Sequence, residues 1–233
     1  MRAIVIIPTY NERANLQELV EKIELVAGNL HILIVDDNSP DGTGELAEEL
    51  SRKHPDRLFV LHRQKKEGLG KAYVAGFKYA LERKYDYILQ MDADLSHDPQ
   101  YLPKLLAEIE TADLVIGSRY LNGISVVNWD LKRLIMSKAA VNYVRLITRM
   151  PLSDATSGFK CWNSKALEAV GFEDTFASGY LFLIEMKYRA FRKDFKLREV
   201  PIIFVERKNG DSKLDWKVFR EAFWGVLRLR FKY

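Results

Sequence analysis

The segment YILQMDADLSHDP, residues 87–99, runs from a short apolar stretch directly into two carboxylates that are separated by one alanine. The same arrangement occurs twice earlier in the chain. PTYNE follows the apolar run AIVII, and DDNSPDGT follows the run HILIV. Three strand-like segments of this sequence therefore end in acidic or polar residues.

Short β-rich runs alternate with amphipathic stretches through the first half of the chain. This alternation is typical of βα units and predicts an α/β fold with a mostly parallel sheet flanked by helices. The first helix is predicted to begin near Asn11, and a second follows NSPDGTG, whose Asn, Ser and Asp side chains can form turns and caps. The apolar face of the first helix is predicted from residues spaced by three and four, namely Leu16, Leu19, Val20, Ile23 and Val26.

The polar residues after the strands are expected to share one crevice, because ligands of open α/β sheets bind beyond the carboxyl ends of the strands. Each acidic segment has an ordinary explanation as a turn, a helix cap or a solvated loop. Three such segments at successive strand ends favour a common site for a cation or a sugar.

The regular alternation ends after Ala112. We predict a long loop leading into a helix over SRYLNGISVVNWDLKR, a turn and strand over LSDATSGFKCW, a helix over GYLFLIEMKYRAFRKD, and a strand and polar loop over VPIIFVERKNGDSKLDW. No linker rich in Pro, Gly or Ser interrupts the chain. The predicted organisation is one domain over residues 1–214 with a C-terminal extension, a basic, aromatic helix over residues 215–233.

Composition excludes several classes of protein. The chain has 233 residues, 48% of them hydrophobic, which is enough for a large core. A net charge of +4 with 29% charged residues is too balanced for a dedicated nucleic-acid binder. The single cysteine, Cys161, excludes an intrachain disulfide framework and fits a reducing, cytoplasmic setting. No apolar run reaches the ~18 residues that a membrane span requires.

The triplet Asp92-Ala93-Asp94 can present hard oxygen ligands to Mg²⁺ or Mn²⁺, which take their remaining ligands from water and a diphosphate. One carboxylate can instead bind a sugar or ribose hydroxyl. The triplet alone is a weak signal, and the strand before it and the acidic loops beside it strengthen the metal interpretation.

The segment EGLGKAY is similar to a P-loop but lacks two of its required residues. Lys65 stands where the first glycine is needed, and Ala72 follows Lys71 in place of Ser or Thr. No GxGxxG follows the first strand either, so a nicotinamide-dependent dehydrogenase is not favoured.

Seven segments, in this order and spacing, resemble the catalytic domains of the dolichyl-phosphate (polyprenyl-phosphate) mannosyltransferases, a branch of the family-two inverting glycosyltransferases with the GT-A fold. The resemblance runs from Ala3 to about Leu214, and its segments are IIPTYNE, IVDDNSPDGT, GLGKAYVAGFKYA, MDADLSHDP, GSRY, SDATSGFK and PIIFVERKNGDSKL. One position differs, because Leu183 stands where the family often has glutamine.

The resemblance implies transfer of mannose from GDP-mannose to a polyprenyl or dolichyl phosphate with inversion, assisted by Mg²⁺ or Mn²⁺. Asp94 and Arg207 are the residues to which it assigns catalytic roles, and Asp92 and Asp94 are its metal ligands. The positions that it assigns to guanine and ribose are Pro8, Tyr10, Glu12, Val35 and Asp37.

The resemblance also implies how the phosphates are held. Asp92, Ala93 and Asp94 occupy the position of the metal and diphosphate. Arg119, Arg207 and Lys213 surround the donor phosphates, and Arg133 and Ser137 hold the lipid phosphate. The cluster of cations from Arg207 to Lys213 is either a solvated hairpin tip or a lid over the phosphates.

The last segment, DWKVFREAFWGVLRLRFKY, mixes aromatic and cationic residues. Such a helix can lie in a membrane interface, and it can equally pack on the domain with its cations solvated. A polyprenyl substrate favours peripheral contact with the cytoplasmic face of a membrane, or with a small membrane partner subunit as in some family members.

Two alternatives remain open from the sequence. The same fold could use another donor such as UDP-glucose, because the sequence does not resolve the contacts that recognise guanine. A protein of another class, a non-catalytic nucleotide-sugar-binding protein, could also keep the fold, although the complete set of acidic and cationic site residues argues against it.

Overall fold

The computed structural model describes residues 2–177, 179–206 and 216–233, with side chains from residue 223 onward in the last range. Nine strands are present in these ranges: β1 Ala3–Thr9, β2 His31–Asp36, β3 Leu58–His62, β4 Tyr87–Gln90, β5 Leu114–Ser118, β6 Val126–Val127, β7 Lys160–Asn163, β8 Leu197–Pro201 and β9 Phe204–Val205. Eight α-helices accompany them there: α1 Arg13–Val26, α2 Thr43–Lys53, α3 Leu69–Glu82, α4 Leu102–Ile109, α5 Leu131–Thr148, α6 Ser164–Val170, α7 Gly179–Arg192 and α8 Trp216–Lys232.

Seven strands form one sheet in the order β3-β2-β1-β4-β7-β5-β8. All neighbours are parallel except β7, which runs antiparallel to both β4 and β5. The short strands β6 and β9 form a separate parallel pair. The predicted α/β fold with a mostly parallel mixed sheet and flanking helices is confirmed.

The interior strand β1 is buried on both faces, as expected for a strand covered by helices on each side. Ile4 and Ile6 belong to the hydrophobic core that includes residues of α3 and α7. Val5 and Ile7 belong to the opposite core, which includes residues of α1, α2 and α4. The alternation follows from the two-residue period of a strand, and it gives the molecule its three layers.

Helix α1 begins at Arg13, two residues after the predicted start. Asn11 has a left-handed backbone with φ of 60°, a conformation that asparagine tolerates and that ends the strand-like path of the chain. The predicted apolar face is correct in its centre, where Leu16, Leu19, Val20 and Ile23 are buried.

The described part of α8 packs on the domain through its last two turns. Val226 and Leu229 are buried in the same core as α7, and the Tyr143 ring stacks on Phe223 with centroids 4.7 Å apart. A Cβ atom at Gly225 would lie 2.1 Å from Leu181 Cδ2, so a larger residue here would force the Leu181 side chain to move. The predicted boundary between residues 214 and 215 lies outside the described residues.

Several aromatic side chains of α8 nevertheless face outward. Trp224 is 64% exposed and Phe231 is 88% exposed. In the ranges that the structure describes, no helix has the length and apolar character that crossing a bilayer requires.

Candidate active site

The carboxyl ends of β1 and β2 bring together the residues predicted for guanine and ribose. Pro8 is paired with Val35 in the parallel ladder, and Asp36 and Asp37 follow directly. Asp36 is buried and accepts hydrogen bonds from Thr9 Oγ1 at 2.9 Å and Ser39 Oγ at 2.6 Å. It therefore shapes the turn after β2.

Tyr10 and Glu12 extend this group beyond the end of β1. The Tyr10 ring lies under the ammonium of Lys66, whose Nζ is 3.8 Å from the ring centroid. The Glu12 carboxylate accepts a hydrogen bond from Asn15 Nδ2 at 2.9 Å, and its backbone N–H donates to Thr43 Oγ1 at 3.0 Å. The first residues of α1 and α2 are thereby joined at this edge of the sheet.

Asp37 forms an ion pair with Arg63, and both side chains are largely buried. Burial raises the pKa of Asp37, and the Arg63 guanidinium opposes that rise. Val35 is fully buried in the core, so only its backbone can meet a ligand. The predicted ribose and guanine contacts stay predictions.

Asp92 and Asp94 lie in the loop that leaves β4. Asp94 Oδ1 accepts from the backbone N–H and the hydroxyl of Ser96, at 3.1 Å and 2.5 Å. Asp92 Oδ1 accepts from Tyr73 of α3 at 3.5 Å. Leu95, between Asp94 and Ser96, has φ of 62°, a strained value for leucine that tight loops at functional sites tolerate. Ala93 is buried in the core.

His97 holds this loop against the sheet. Its Nδ1 accepts a hydrogen bond from the backbone N–H of Asp92 at 3.2 Å, so a neutral ring carries its proton on Nε2. The ring stacks on Phe159 with centroids 5.0 Å apart. Burial lowers the pKa of His97, although Asp92 and Asp94 oppose that effect, and the neutral form fits its role as an acceptor.

Arg119, predicted for the donor phosphates, forms a buried ion pair with Asp154. Arg119 Nε and Nη2 donate to the two carboxylate oxygens at 2.7 Å and 2.8 Å, and Nη2 also donates to Thr156 Oγ1 at 2.7 Å. Although burial opposes it, the Arg119 guanidinium lowers the pKa of Asp154 to about 2. These contacts orient the guanidinium, and its contact with phosphate stays a prediction.

Two buried lysines, one in the SDATSGFK segment and one on α7, were not predicted from the sequence. Lys187 of α7 donates from Nζ to the Ser157 carbonyl at 2.6 Å, and burial lowers its pKa to about 7. Lys160 of β7 is fully buried, and burial lowers its pKa well below the ordinary value. A Cβ at Gly158 would lie 3.5 Å from Asp92 Oδ2, so the loop that Lys187 holds lies beside the acidic site.

The SDATSGFK motif could have indicated some of the residues around Arg119 and Asp92, since it contains Asp154, Ser157, Gly158 and Lys160. Its position near Asp92 depends on β7 entering the sheet beside β4, which adjacent segments of sequence do not reveal. Lys187 carried no signal, because its surroundings on α7 are those of an ordinary amphipathic helix.

Arg133 and Ser137, predicted for the lipid phosphate, lie on successive turns near the start of α5. Ser137 Oγ is 2.8 Å from the Tyr120 hydroxyl. The Arg133 guanidinium lies over the Trp129 ring, 4.4 Å from its centroid, and pairs with the Glu206 carboxylate.

Strand β9 connects this region to the acidic loop. The Phe204 ring meets His97 and Trp129 edge to face, with centroids 5.6 Å and 5.5 Å away. The Val205 backbone N–H lies 3.4 Å from the Ser96 carbonyl. The structure thus brings the predicted metal loop and the predicted acceptor residues to either side of one strand.

The predicted phosphate residues Arg207 and Lys213 lie outside the described residues. In the described ranges, no cluster of three or more acidic, histidine or cysteine side chains could hold a metal. Asp92 and Asp94 are both partly exposed at the carboxyl end of β4. Two hard carboxylates fit a divalent ion that takes its other ligands from a diphosphate and water, as Mg²⁺ does.

Comparison with curated proteins gives closely similar relatives over nearly the whole chain. Polyprenol monophosphomannose synthase of Mycolicibacterium smegmatis is 45% identical over 97% of this chain and 87% of its own length. Undecaprenyl-phosphate mannosyltransferase of Micrococcus luteus is 42% identical over 98% of this chain and 93% of its own. Dolichol-phosphate mannosyltransferase of Pyrococcus furiosus is 40% identical over 98% of this chain and 64% of its own.

Solved structures share the fold at much lower identity. Glucosyl-3-phosphoglycerate synthase of Mycobacterium tuberculosis, in complex with Mn²⁺, UDP and glucosyl-3-phosphoglycerate, superposes with a TM-score of 0.71 at 18% identity, covering 99% of this chain and 80% of that one. Its complex with Mg²⁺ and UDP gives the same TM-score, identity and coverage. These likenesses establish the GT-A fold.

The sequence profile of the family described as "Glycosyl transferase family 2" matches residues 4–188. This match covers most of the sheet, α1 to α6, most of α7 and the acidic residues at the ends of β1, β2 and β4. Together with relatives at 40–45% identity, it shows that the chain is a member of glycosyl transferase family 2.

Proposed function

We propose that this glycosyltransferase transfers mannose from GDP-mannose to the phosphate of a polyprenol, with inversion at the anomeric carbon. The observation that carries the proposal is that relatives 40–45% identical, over 97–98% of this chain, all bear names for mannosyl transfer to a polyprenyl phosphate or synthesis of its product.

The acceptor needs no general base in this reaction. A phosphate monoester is already anionic near neutral pH, so one of its oxygens can attack the anomeric carbon directly. The bond from that carbon to the donor diphosphate breaks, and GDP leaves with the electron pair. The protein must therefore orient two phosphates and stabilise the leaving group.

We propose that the acidic loop helps to stabilise the leaving group. Asp92 and Asp94 would hold Mg²⁺ or Mn²⁺, which supplies positive charge to the diphosphate. His97 and Ser96 hold the loop in place through their contacts with the Asp92 backbone and the Asp94 carboxylate. Arg207 and Lys213 complete the proposed donor site on the strength of the sequence resemblance alone.

We also propose that the chain contacts a membrane surface, where a polyprenyl chain resides. Exposed aromatic residues of α8 and exposed apolar residues of α5 support this contact. Leu131 and Ile135 are 71% and 59% exposed, on the same turns as Arg133. Apolar side chains interspersed with cations suit the interface between lipid tails and anionic headgroups.

The proposed reaction can be tested with farnesyl phosphate as a short acceptor, GDP-mannose or UDP-glucose as donor, and Mg²⁺ or Mn²⁺ added. We expect mass spectrometry to show a hexosyl phosphate with GDP-mannose, and NMR to show the β-anomer from the α-donor. Preferred use of UDP-glucose would replace the mannosyl assignment. Nucleotide binding without turnover would favour the non-catalytic alternative.

Substitution of the acidic loop tests the metal assignment. We expect Asp94→Asn to lower turnover by roughly 10²-fold or more, because an amide is a poorer ligand for a hard dication. Asp98→Asn is the matched control. Asp98 caps the turn at residues 99–101 by accepting from Gln100 N, and asparagine can make the same cap. Equal activity of the two variants, or full activity in excess EDTA, would contradict the assignment.

A further inference from the structure

Arg133 is already paired with an anion in this structure. Its Nη1 donates to Glu206 Oε1, and the two side chains are 21% and 36% exposed. If Arg133 holds the acceptor phosphate, the carboxylate of Glu206 occupies the position of an anionic ligand.

Both members of the pair are held by local structure. The Asp130 side chain caps α5 by accepting from Arg133 N at 2.8 Å, and the Trp129 ring lies against the guanidinium. Glu206 directly follows β9, and its backbone N–H donates to the Val127 carbonyl at 3.1 Å. The pairing of β6 with β9 therefore fixes the backbone of Glu206 and places its carboxylate near Arg133.

The Arg133–Glu206 ion pair leaves two nearby N–H donors without an acceptor among the described residues. Arg133 Nε and Trp129 Nε1 are both enclosed, and neither has an acceptor among the residues that the structure describes. An enclosed N–H without an acceptor costs free energy. The terminal oxygens of a phosphate monoester can accept from more donors than the one carboxylate oxygen that Arg133 now contacts.

We propose that Glu206 is an anionic placeholder in the acceptor-phosphate site, displaced from Arg133 when the polyprenyl phosphate binds and restored when the glycosylated product leaves. This inference rests on the proposed function. The pair keeps the guanidinium neutralised in the empty site and lowers the affinity for every phosphate that must displace the carboxylate. The product, a phosphodiester with one charge fewer than the monoester, is released faster as a result.

A purely structural ion pair predicts the opposite sign. Its loss would loosen β9 against α5, lower the melting temperature and weaken acceptor binding. Loss of a placeholder removes a competitor, so acceptor binding becomes tighter. The sign of the change in affinity separates the two roles.

The test is Glu206→Gln, which keeps the side-chain shape and removes the charge. Glu108→Gln is the matched control, because Glu108 pairs with Arg198 in a partly exposed ion pair and the variant changes the net charge equally. Calorimetric titration with farnesyl phosphate should give a dissociation constant about two- to fivefold lower for Glu206→Gln, the gain expected from releasing a partly exposed pair, and no change for the control.

Steady-state kinetics give the second readout. We expect the farnesyl phosphate KM of Glu206→Gln to fall by the same factor, with no increase in kcat, and inhibition by inorganic phosphate to become stronger. An unchanged or weaker affinity for farnesyl phosphate, in a variant of unaltered melting temperature, overturns the placeholder role.

Failure of the proposed function is distinguishable. In that case wild-type protein does not transfer mannose, whereas the calorimetric comparison of the two variants still reports on Glu206. If Arg133→Ala in the Glu206→Gln background does not abolish the gain in affinity, the phosphate binds elsewhere and the inference is wrong.

Discussion

Replacing Asp154 with asparagine should destabilise the protein far more than replacing an exposed acid. Asp154 is fully buried and receives two hydrogen bonds from the Arg119 guanidinium, and the Asp154 backbone N–H donates to Glu199 at 2.8 Å. Asparagine would leave the Arg119 charge buried beside a neutral amide whose NH₂ cannot accept. Removal of one partner of a buried ion pair typically costs about 3–5 kcal/mol.

The pKa of Asp154 gives a second value for the contribution of this ion pair to the free energy of unfolding. Its fall from the ordinary 3.8 to about 2 corresponds to about 2–3 kcal/mol, since one pKa unit is about 1.4 kcal/mol. Because the folded-state pKa is the lower one, this stability is present above pH 3.8 and is lost as the pH falls toward 2. About half of it should be gone at pH 3.

The assay is urea denaturation followed by tryptophan fluorescence, at pH 7 and at the lowest pH at which the protein folds. We expect Asp154→Asn to lose about 3–5 kcal/mol at pH 7, with a smaller difference from wild type below pH 4. Glu108→Gln, whose carboxylate is 39% exposed, should lose less than about 1 kcal/mol. Equal losses for the two variants at pH 7 would refute the reasoning.

Two further predictions concern α7 and α8. Lys187 has a folded-state pKa of about 7, below its ordinary 10.5, so between these values the unfolded chain binds more protons than the folded one. The stability of the wild-type protein should therefore rise by about 2 kcal/mol from pH 7 to pH 9. Lys187→Met should lack this rise in urea denaturation, and a variant that retains it would assign the pH dependence to other groups. Trp224→Ser should weaken binding to anionic phospholipid vesicles by about three- to tenfold in co-sedimentation, whereas Leu25→Ser on α1 should not. Equal binding by both variants would contradict contact through α8.

The sequence predicted the features that depend on neighbouring residues. Alternating apolar runs and helical periodicity gave the strands, the parallel sheet and the buried face of α1, because each follows from the local period of side chains. The acidic loops at the ends of β1, β2 and β4 were predicted to share one crevice because ligands of open α/β sheets bind beyond the carboxyl ends of the strands. The family resemblance predicted that Arg133 and Ser137 act together, and both lie near the start of α5.

Features that depend on distant segments were not predicted. The insertion of β7 between β4 and β5 depends on contacts between strands that are distant in sequence. One of them is the 2.9 Å hydrogen bond from Trp162 Nε1 to Gln90 Oε1. The buried Lys160 belongs to β7 itself, and Lys187 donates to the loop that leads into β7, so the surroundings of both depend on that insertion. Arg119 looked like a free phosphate ligand, and its ion pair with Asp154 joins residues 35 apart in sequence.

The position of β7 also determines when the protein can become active during synthesis. A nascent chain that ends after β5 can pair β1 to β4, but the free edge of β4 waits for residues 160–163, and β5 joins the sheet only through them. An unpaired edge is a template for association with other chains, so this interval is the period of greatest aggregation risk. The loop at Gly158 reaches Asp92, and Lys187 reaches the Ser157 carbonyl, only afterwards. A ribosome-bound intermediate would therefore have β1 to β4 paired but would lack the Gly158 loop beside Asp92.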